Sequence, residues 1–216
     1  MGARFLSALG YIAVEGPIGV GKTSLARRLA DTLGAATVFE EAEANPFLER
    51  FYTDPREAAL PTQLSFLFQR ARKLEALSQT DMFHPVRVAD FVLEKDLLFA
   101  ELTLDDSELA LYHEVYRRVT PQVAHPDLVV YLQAPVEVLM RRIARRGRAF
   151  ERGVNRDYLE QVVEAYTQFF HHYNRARVLI VNAAAVNLVD DDTEYARLLE
   201  QIQSMRGNRA YFNPEA

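Results

Sequence analysis

Short runs of β-branched and apolar residues alternate along the chain with longer segments whose apolar positions recur at helical spacing. Tyr11 to Glu15 reads as a short apolar strand that runs into a glycine-rich loop. Ser24 to Leu33 then reads as a helix, with Leu25, Leu29 and Leu33 on one face, Arg27 and Arg28 on the other, and Gly34 as its stop. Ala36 to Phe39 is the second strand. Pro61 to Ser78 is a long helix striped by Leu64, Leu67, Phe68, Ala71 and Leu74. Val86 to Phe91 is the third strand, and Glu94 to Leu102 leads into a further helical region. Asp105 or Asp106 suits the cap of the next helix, Glu108 to Val119.

Leu128 to Leu132 is a continuous run of strand formers and predicts a buried central strand. Val136 to Arg146 and Arg156 to Arg175 are helices on either side of an Arg-rich turn. Val178 to Val181 is the last predicted strand, Thr193 to Met205 a closing helix, and residues 206 to 216, RGNRAYFNPEA, read as a loosely attached tail. Five strands separated by helices predict an α/β fold, a parallel sheet flanked by helices on both faces. No linker or repeat divides residues 1 to 216, so a single domain is expected.

Composition narrows the classes. The 216 residues carry a formal net charge of −5, whereas general nucleic-acid binders draw affinity from basic surfaces. Cysteine is absent, which excludes disulfides and thiolate chemistry. No apolar run approaches the ~18 residues of a membrane span. The N-terminal stretch lacks the pattern of a signal peptide, and Leu6 stands where myristoylation after Gly2 needs Ser or Thr. A cytoplasmic protein without membrane or nucleic-acid partners is expected.

Residues 16 to 23, GPIGVGKT, match the phosphate-binding loop G-x-x-x-x-G-K-[ST] in full, with a strand before and a helix after. Glycines let successive N–H groups turn inward on a phosphate, and the helix N-terminus adds to that field. The cradle comprises Gly16, Pro17, Ile18, Gly19, Val20, Gly21, Lys22, Thr23 and Ser24. Lys22 is expected to reach the β- and γ-phosphates of ATP, and Thr23 to offer its hydroxyl to Mg²⁺. The guanine-reading N-K-x-D segment of GTPases is absent. Asp90, at the end of the third strand, offers a metal-linked carboxylate.

Glu40 and Glu41 close the second strand beside this loop. A carboxylate there suits a neutral hydroxyl acceptor, as general base or orienting group, and would repel a monophosphate. A solvated acidic pair is the plainer alternative. The run RRIARRGRAFERG, spanning residues 141 to 153, has the arginines of a lid that closes over transferring phosphates; a solvated basic face is its plainer alternative.

Together these residues resemble the deoxyribonucleoside kinase family, over nearly the whole chain. The segment EEAEANPFLERFYTDP is similar to the bacterial deoxyadenosine and deoxyguanosine kinase branch. The resemblance implies transfer of the ATP γ-phosphate to the 5′-hydroxyl of a deoxynucleoside, a purine by branch, with Mg²⁺, in a homodimer. It implies Glu41 as catalytic base, matching in spacing better than Glu40. It implies Tyr52 and Glu151 at the sugar 3′-hydroxyl, and Gln63 and Arg70 at the base edge. Arg142, Arg146 and Arg148 correspond to the phosphate-binding arginines of a lid over about residues 142 to 153. One motif departs. The family commonly has an arginine after the carboxylate at Asp90, where this chain has Phe91, and Lys95 stands where many members carry an Asp that reads the base with the pocket arginine. The alternatives are a thymidylate-type nucleoside monophosphate kinase, sharing loop and lid, and an ATP-binding protein without catalysis.

Overall fold

The computed structural model describes residues 9–78, 86–120 and 124–213; the N-terminal Gly2 to Ser7 reading lies outside them. The elements run β1 (Tyr11–Glu15), α1 (Lys22–Leu33), β2 (Ala36–Val38), α2 (Leu48–Thr53), α3 (Pro55–Ser78), β3 (Arg87–Ala89), α4 (Lys95–Thr103) and α5 (Asp106–Val119). There follow β4 (Leu128–Gln133), α6 (Val136–Arg146), α7 (Arg156–His172), β5 (Arg177–Asn182), α8 (Asp192–Ser204) and β6 (Arg209–Phe212), with single 3₁₀ turns at Ala42–Ala44 and Ala149–Gly153.

All paired strands are parallel, in the order β2-β3-β1-β4-β5-β6. Every residue of β1 is buried, as a strand covered on both faces requires. Side chains alternate between two cores. Ile12, Val14 and Val130 join Leu25, Leu29 and Leu198 on one face; Tyr11, Ala13, Val129 and Tyr131 join Tyr166 and Phe170 on the other. A third, smaller cluster of Leu48, Phe51, Ala58 and Phe66 sits where α2 meets α3.

The helices begin where capping chemistry favours them. Asp105 accepts from the Ser107 and Glu108 N–H groups, and Glu108 reaches back to the Asp105 N–H, a reciprocal cap. Asn155 and Asp191 cap α7 and α8. The long helix α3 begins at Pro55, six residues before the expected Pro61, which lies inside it. Pro55 suits the first position, where the missing N–H has no helical partner, whereas Pro61, the seventh residue of the helix, leaves the Glu57 carbonyl without its helical N–H.

Two expectations are corrected together. Among the described residues the sheet has six strands, not five, and the extra one comes from the segment read as a loose tail. Residues 209–212 pair with β5 from Val178↔Arg209 to Val181↔Phe212, and the Phe212 side chain is buried against Leu179 and Val181 in the first core. Residues 214–216 of that segment lie outside the described residues.

This strand gives a direct test. F212A should lower unfolding stability by about 3 kcal/mol, at the low end for a core phenylalanine because it lies at a sheet edge. Urea unfolding measures it, and an unchanged midpoint would return the segment to the status of a tail.

Candidate active site

The phosphate loop leaves the carboxyl end of β1 and enters α1 at Lys22. Its glycines are required by geometry. Gly16 has φ +149°, and a Cβ there would lie 2.4 Å from the Leu132 carbonyl oxygen; Gly19 has φ +83°, and its Cβ would meet Ile143 at 2.8 Å. The Lys22 ammonium curls over the loop and donates to the carbonyls of Gly16 (2.7 Å) and Pro17 (3.2 Å). Burial and the nearby Lys95 cation lower its pKa to about 8.

Beside the loop lies a partly open cavity lined by both polar and apolar side chains, the mixed lining that small-molecule sites use. Ile18, Gly19, Lys22 and Thr23 line its phosphate end. Gln63, Arg70 and Phe66 from α3 and Tyr52 from α2 line the far end, and Arg146, Arg148, Phe150 and Glu151 cover it from the lid turn. The sequence-predicted acceptor, metal and lid side chains thus converge here, apart from Glu41 and Arg142.

The first exception is Glu41. Its side chain is 66% exposed and pairs with Lys73 at 2.8 Å, outside the cavity wall. Glu40 faces inward instead, with its backbone N–H donating to Asp90 Oδ1 at 2.7 Å. Arg70 Nε donates to Glu40 Oε1 at 2.6 Å, and Lys95 Nζ lies 3.3 and 3.4 Å from its two oxygens. Burial alone would raise the Glu40 carboxyl, but Arg70, Lys95 and Lys22 outweigh it and hold it well below the usual carboxylate range.

The second exception is Arg142. It donates to the Val20 carbonyl at 3.1 Å and the Ala183 carbonyl at 2.8 Å, on the outer side of the loop, and lines a separate cavity there with Arg145 and Asn187. Ser24, the last residue of the expected cradle, is exposed in the first turn of α1.

The lid turn is seated on the acceptor wall. Arg146 and Glu151 form a two-pronged ion pair, Nε to Oε2 at 3.1 Å and a second contact to Oε1, and Arg148 reaches Glu43 at 3.4 Å. Gly153 touches α2 so closely that a Cβ would lie 2.6 Å from the Tyr52 Cβ. Tyr52 packs edge-on against Tyr158 of α7, and burial keeps its hydroxyl protonated far above its ordinary range.

Two residues were missed in the sequence. Glu15, the last residue of β1, is wholly buried and accepts from the Gly16 N–H and the Val92 N–H, both at 2.8 Å, and from the Tyr166 hydroxyl at 3.0 Å. Asp96 is also wholly buried and pairs with Arg70. The expectation that the pocket lacks an Asp beside its arginine is therefore corrected. Asp96 supplies it from the first turn of α4, one residue after Lys95, where an alignment without a gap does not look. Gln63 donates to the Thr103 hydroxyl at 3.3 Å, which orients its amide.

Thr23 donates to Asp90 Oδ2 at 2.5 Å, so the expected metal pair is assembled at the phosphate end. Among the described residues no group of three or more acidic or histidine side chains forms a ready cation site. One hydroxyl and one carboxylate fit a Mg²⁺ that takes its other ligands from phosphates and water. No described helix is long and apolar enough to cross a membrane.

Comparison with known proteins identifies the family. The family model described as deoxynucleoside kinase matches residues 12–206. A deoxyguanosine kinase of Bacillus subtilis (strain 168) is 32% identical over 203 residues, covering 90% of this chain and 97% of its own. A deoxyadenosine/deoxycytidine kinase of the same organism is 28% identical over 206 residues, covering 90% and 92%. The structure of deoxyadenosine kinase from M. mycoides with bound dATP superposes with a TM-score of 0.77 at 23% identity, over 90% of this chain and 99% of that one. With the family model matching residues 12–206 and a relative 32% identical over 90% of the chain, the chain belongs to the deoxynucleoside kinase family.

Proposed function

We propose that this chain phosphorylates a purine deoxynucleoside and that Glu40, rather than Glu41, is its catalytic base. The family reaction, ATP-dependent phosphorylation of a deoxyribonucleoside to its 5′-monophosphate, is this chain's reaction. The observation that carries the finer reading is the Glu40 carboxylate, which faces a cavity bounded at one end by Lys22 and Thr23 and at the other by Gln63 and Arg70. A sugar bridging those ends would bring its 5′-hydroxyl to Glu40.

In this reading Glu40 accepts the 5′-hydroxyl proton as the oxygen bonds to the γ-phosphorus. The bond from that phosphorus to the β–γ bridging oxygen breaks, and its electron pair stays with ADP. Lys22, Arg146 and Arg148 neutralise the charge on the moving phosphoryl group. Arg142 serves the ATP side from the second cavity. Thr23 and Asp90 would hold Mg²⁺, which supplies further charge neutralisation between the phosphates. Tyr52 and Glu151 take the 3′-hydroxyl, joining acceptor wall to lid. The cytoplasm, rich in ATP and Mg²⁺, is the compartment this chemistry suits.

For the base, Gln63 offers a donor and an acceptor on the cavity wall, and Arg70, held from behind by the buried Asp96, adds donors. That combination suits a purine edge, and the name of the 32% identical relative favours guanine within the class. A homodimer belongs to the same reading: Phe68 on α3 and Leu111 on α5 stand 43% and 51% exposed on helices that pack together.

Three measurements test these points. Relative kcat/KM for deoxyguanosine, deoxyadenosine, deoxycytidine and thymidine should favour a purine at least ~10-fold, about 1.4 kcal/mol of discrimination; a lead for either pyrimidine would overturn the base reading. Turnover of monophosphates alone would instead favour the thymidylate-type alternative. E40Q should lower kcat by about 10²–10⁴-fold while E41Q stays near wild type, and the reverse order would restore Glu41 as base. Sedimentation equilibrium should return twice the chain mass; a monomer at micromolar protein rules the dimer out.

A further inference from the structure

Five charged side chains alternate in sign from the phosphate loop to the acceptor pocket: Glu15, Lys95, Glu40, Arg70 and Asp96. Glu40 is the middle member, with one cation on each side. Arg70, the cation on the nucleoside side, has a second task at the base edge. Lys95 has a different environment. Its side chain is 3% exposed, and its ammonium lies 3.6 Å from Glu15 Oε2, so the buried carboxylate at the end of β1 fixes it from behind. Phe91, the residue after Asp90, is wholly buried in the apolar core and carries no charge to this place.

We propose that Lys95 is the positioning residue of the phosphoryl-transfer base: anchored on Glu15, it holds the Glu40 carboxylate in place and aimed into the cavity. This rests on the reading of Glu40 as base given above. The geometry has three parts. Lys95 Nζ lies nearly equidistant from both Glu40 oxygens, 3.3 and 3.4 Å, so it fixes the position of the carboxylate without withdrawing either oxygen. Glu15 is held by two backbone N–H groups and the Tyr166 hydroxyl, so it does not follow Lys95 if the lysine moves. Lysine offers a compact charge with three donors, which suits sharing between two carboxylates. Although Lys95 stands in the sequence where many family members carry a base-reading Asp, its ammonium lies between Glu15 and Glu40, on the phosphoryl side.

The groups facing Glu40 set what its removal does. They are Arg70 on α3, Lys95 on α4, Lys22 on the phosphate loop, Asp90 after β3 and Tyr52 on α2, with Glu15 behind Lys95. Without the Lys95 charge, Glu40 keeps Arg70 and Lys22 as counter-cations but loses one of its two close ones. The carboxylate then has Arg70, on the nucleoside side, as its one close cation, and its aim toward the phosphate end is no longer fixed.

K95Q, which keeps hydrogen bonds but no charge, and K95R, which keeps the charge, test this. Under the proposal K95Q lowers kcat ~10- to 100-fold while the calorimetric Kd for deoxyguanosine stays within about threefold. K95R recovers most of the loss. Carboxyl-¹³C glutamate NMR at one fixed pH, with E40Q assigning the resonance, follows the surroundings of Glu40 without any turnover; its resonance should shift in K95Q and stay near its place in K95R. K95M serves the same measurement if K95Q does not fold. A wild-type chain that phosphorylates no deoxynucleoside would overturn the functional reading, whereas the Glu40 resonance judges Lys95 regardless. An unmoved Glu40 resonance in K95Q, or kcat and nucleoside affinity falling together, overturns the proposal.

Discussion

Taking a carboxylate wholly out of water costs several kcal/mol unless its lone pairs and charge are answered. Glu15, at the end of the central strand, is such a group, and what answers it organises the site. Its partners are the first N–H of the phosphate loop, an N–H from the connection after β3, the Tyr166 hydroxyl from α7 and the Lys95 ammonium from α4. Four separate parts of the chain therefore meet at one buried residue. The loop that faces phosphate and the helix that carries Lys95 and Asp96 are held in one frame, because moving either would leave the charge unanswered.

Around that frame the two ends of the cavity are built differently. The phosphate end relies on backbone, on glycines at φ values other residues resist, and on one lysine held to the loop's own carbonyls. The acceptor end relies on side chains of α2 and α3, backed by the small cluster of Leu48, Phe51 and Phe66. The lid turn bridges them through Arg146, Glu151 and the close contact of Gly153 with Tyr52. A turn seated this tightly has little freedom to shift without α2 shifting too.

Much of this was legible in the sequence, and the exceptions have physical reasons. The central strands read clearly because a strand covered on both faces is apolar throughout. β6 did not, since it is a four-residue edge strand with one arginine and only Phe212 buried, which looks polar in isolation. Helix α2 is six residues long, too short to display a period. Choosing between Glu40 and Glu41 was a matter of parity: two residues after the buried Val38, Glu40 returns to the same side, and the i, i+2 rule was the signal available. Asp96 was hidden by its neighbour, because Lys95 and Asp96 are both buried and an alignment offers one position for one role. Glu15 passed as a strand residue before a motif, and only the structure reveals how many groups it gathers.

The alternating charges also bear on how such a site can change over generations. Each internal member answers two neighbours, so a substitution that helps one function leaves a buried charge unpaired, a penalty of about 3–5 kcal/mol when one partner is removed. Arg70 touches both Asp96 and Glu40. A replacement at Arg70 therefore disturbs two buried carboxylates in the same step. Diversification of this lineage is expected to proceed through paired replacements within the row, or through the uncharged wall at Gln63 and Phe66, where a change leaves no ion behind.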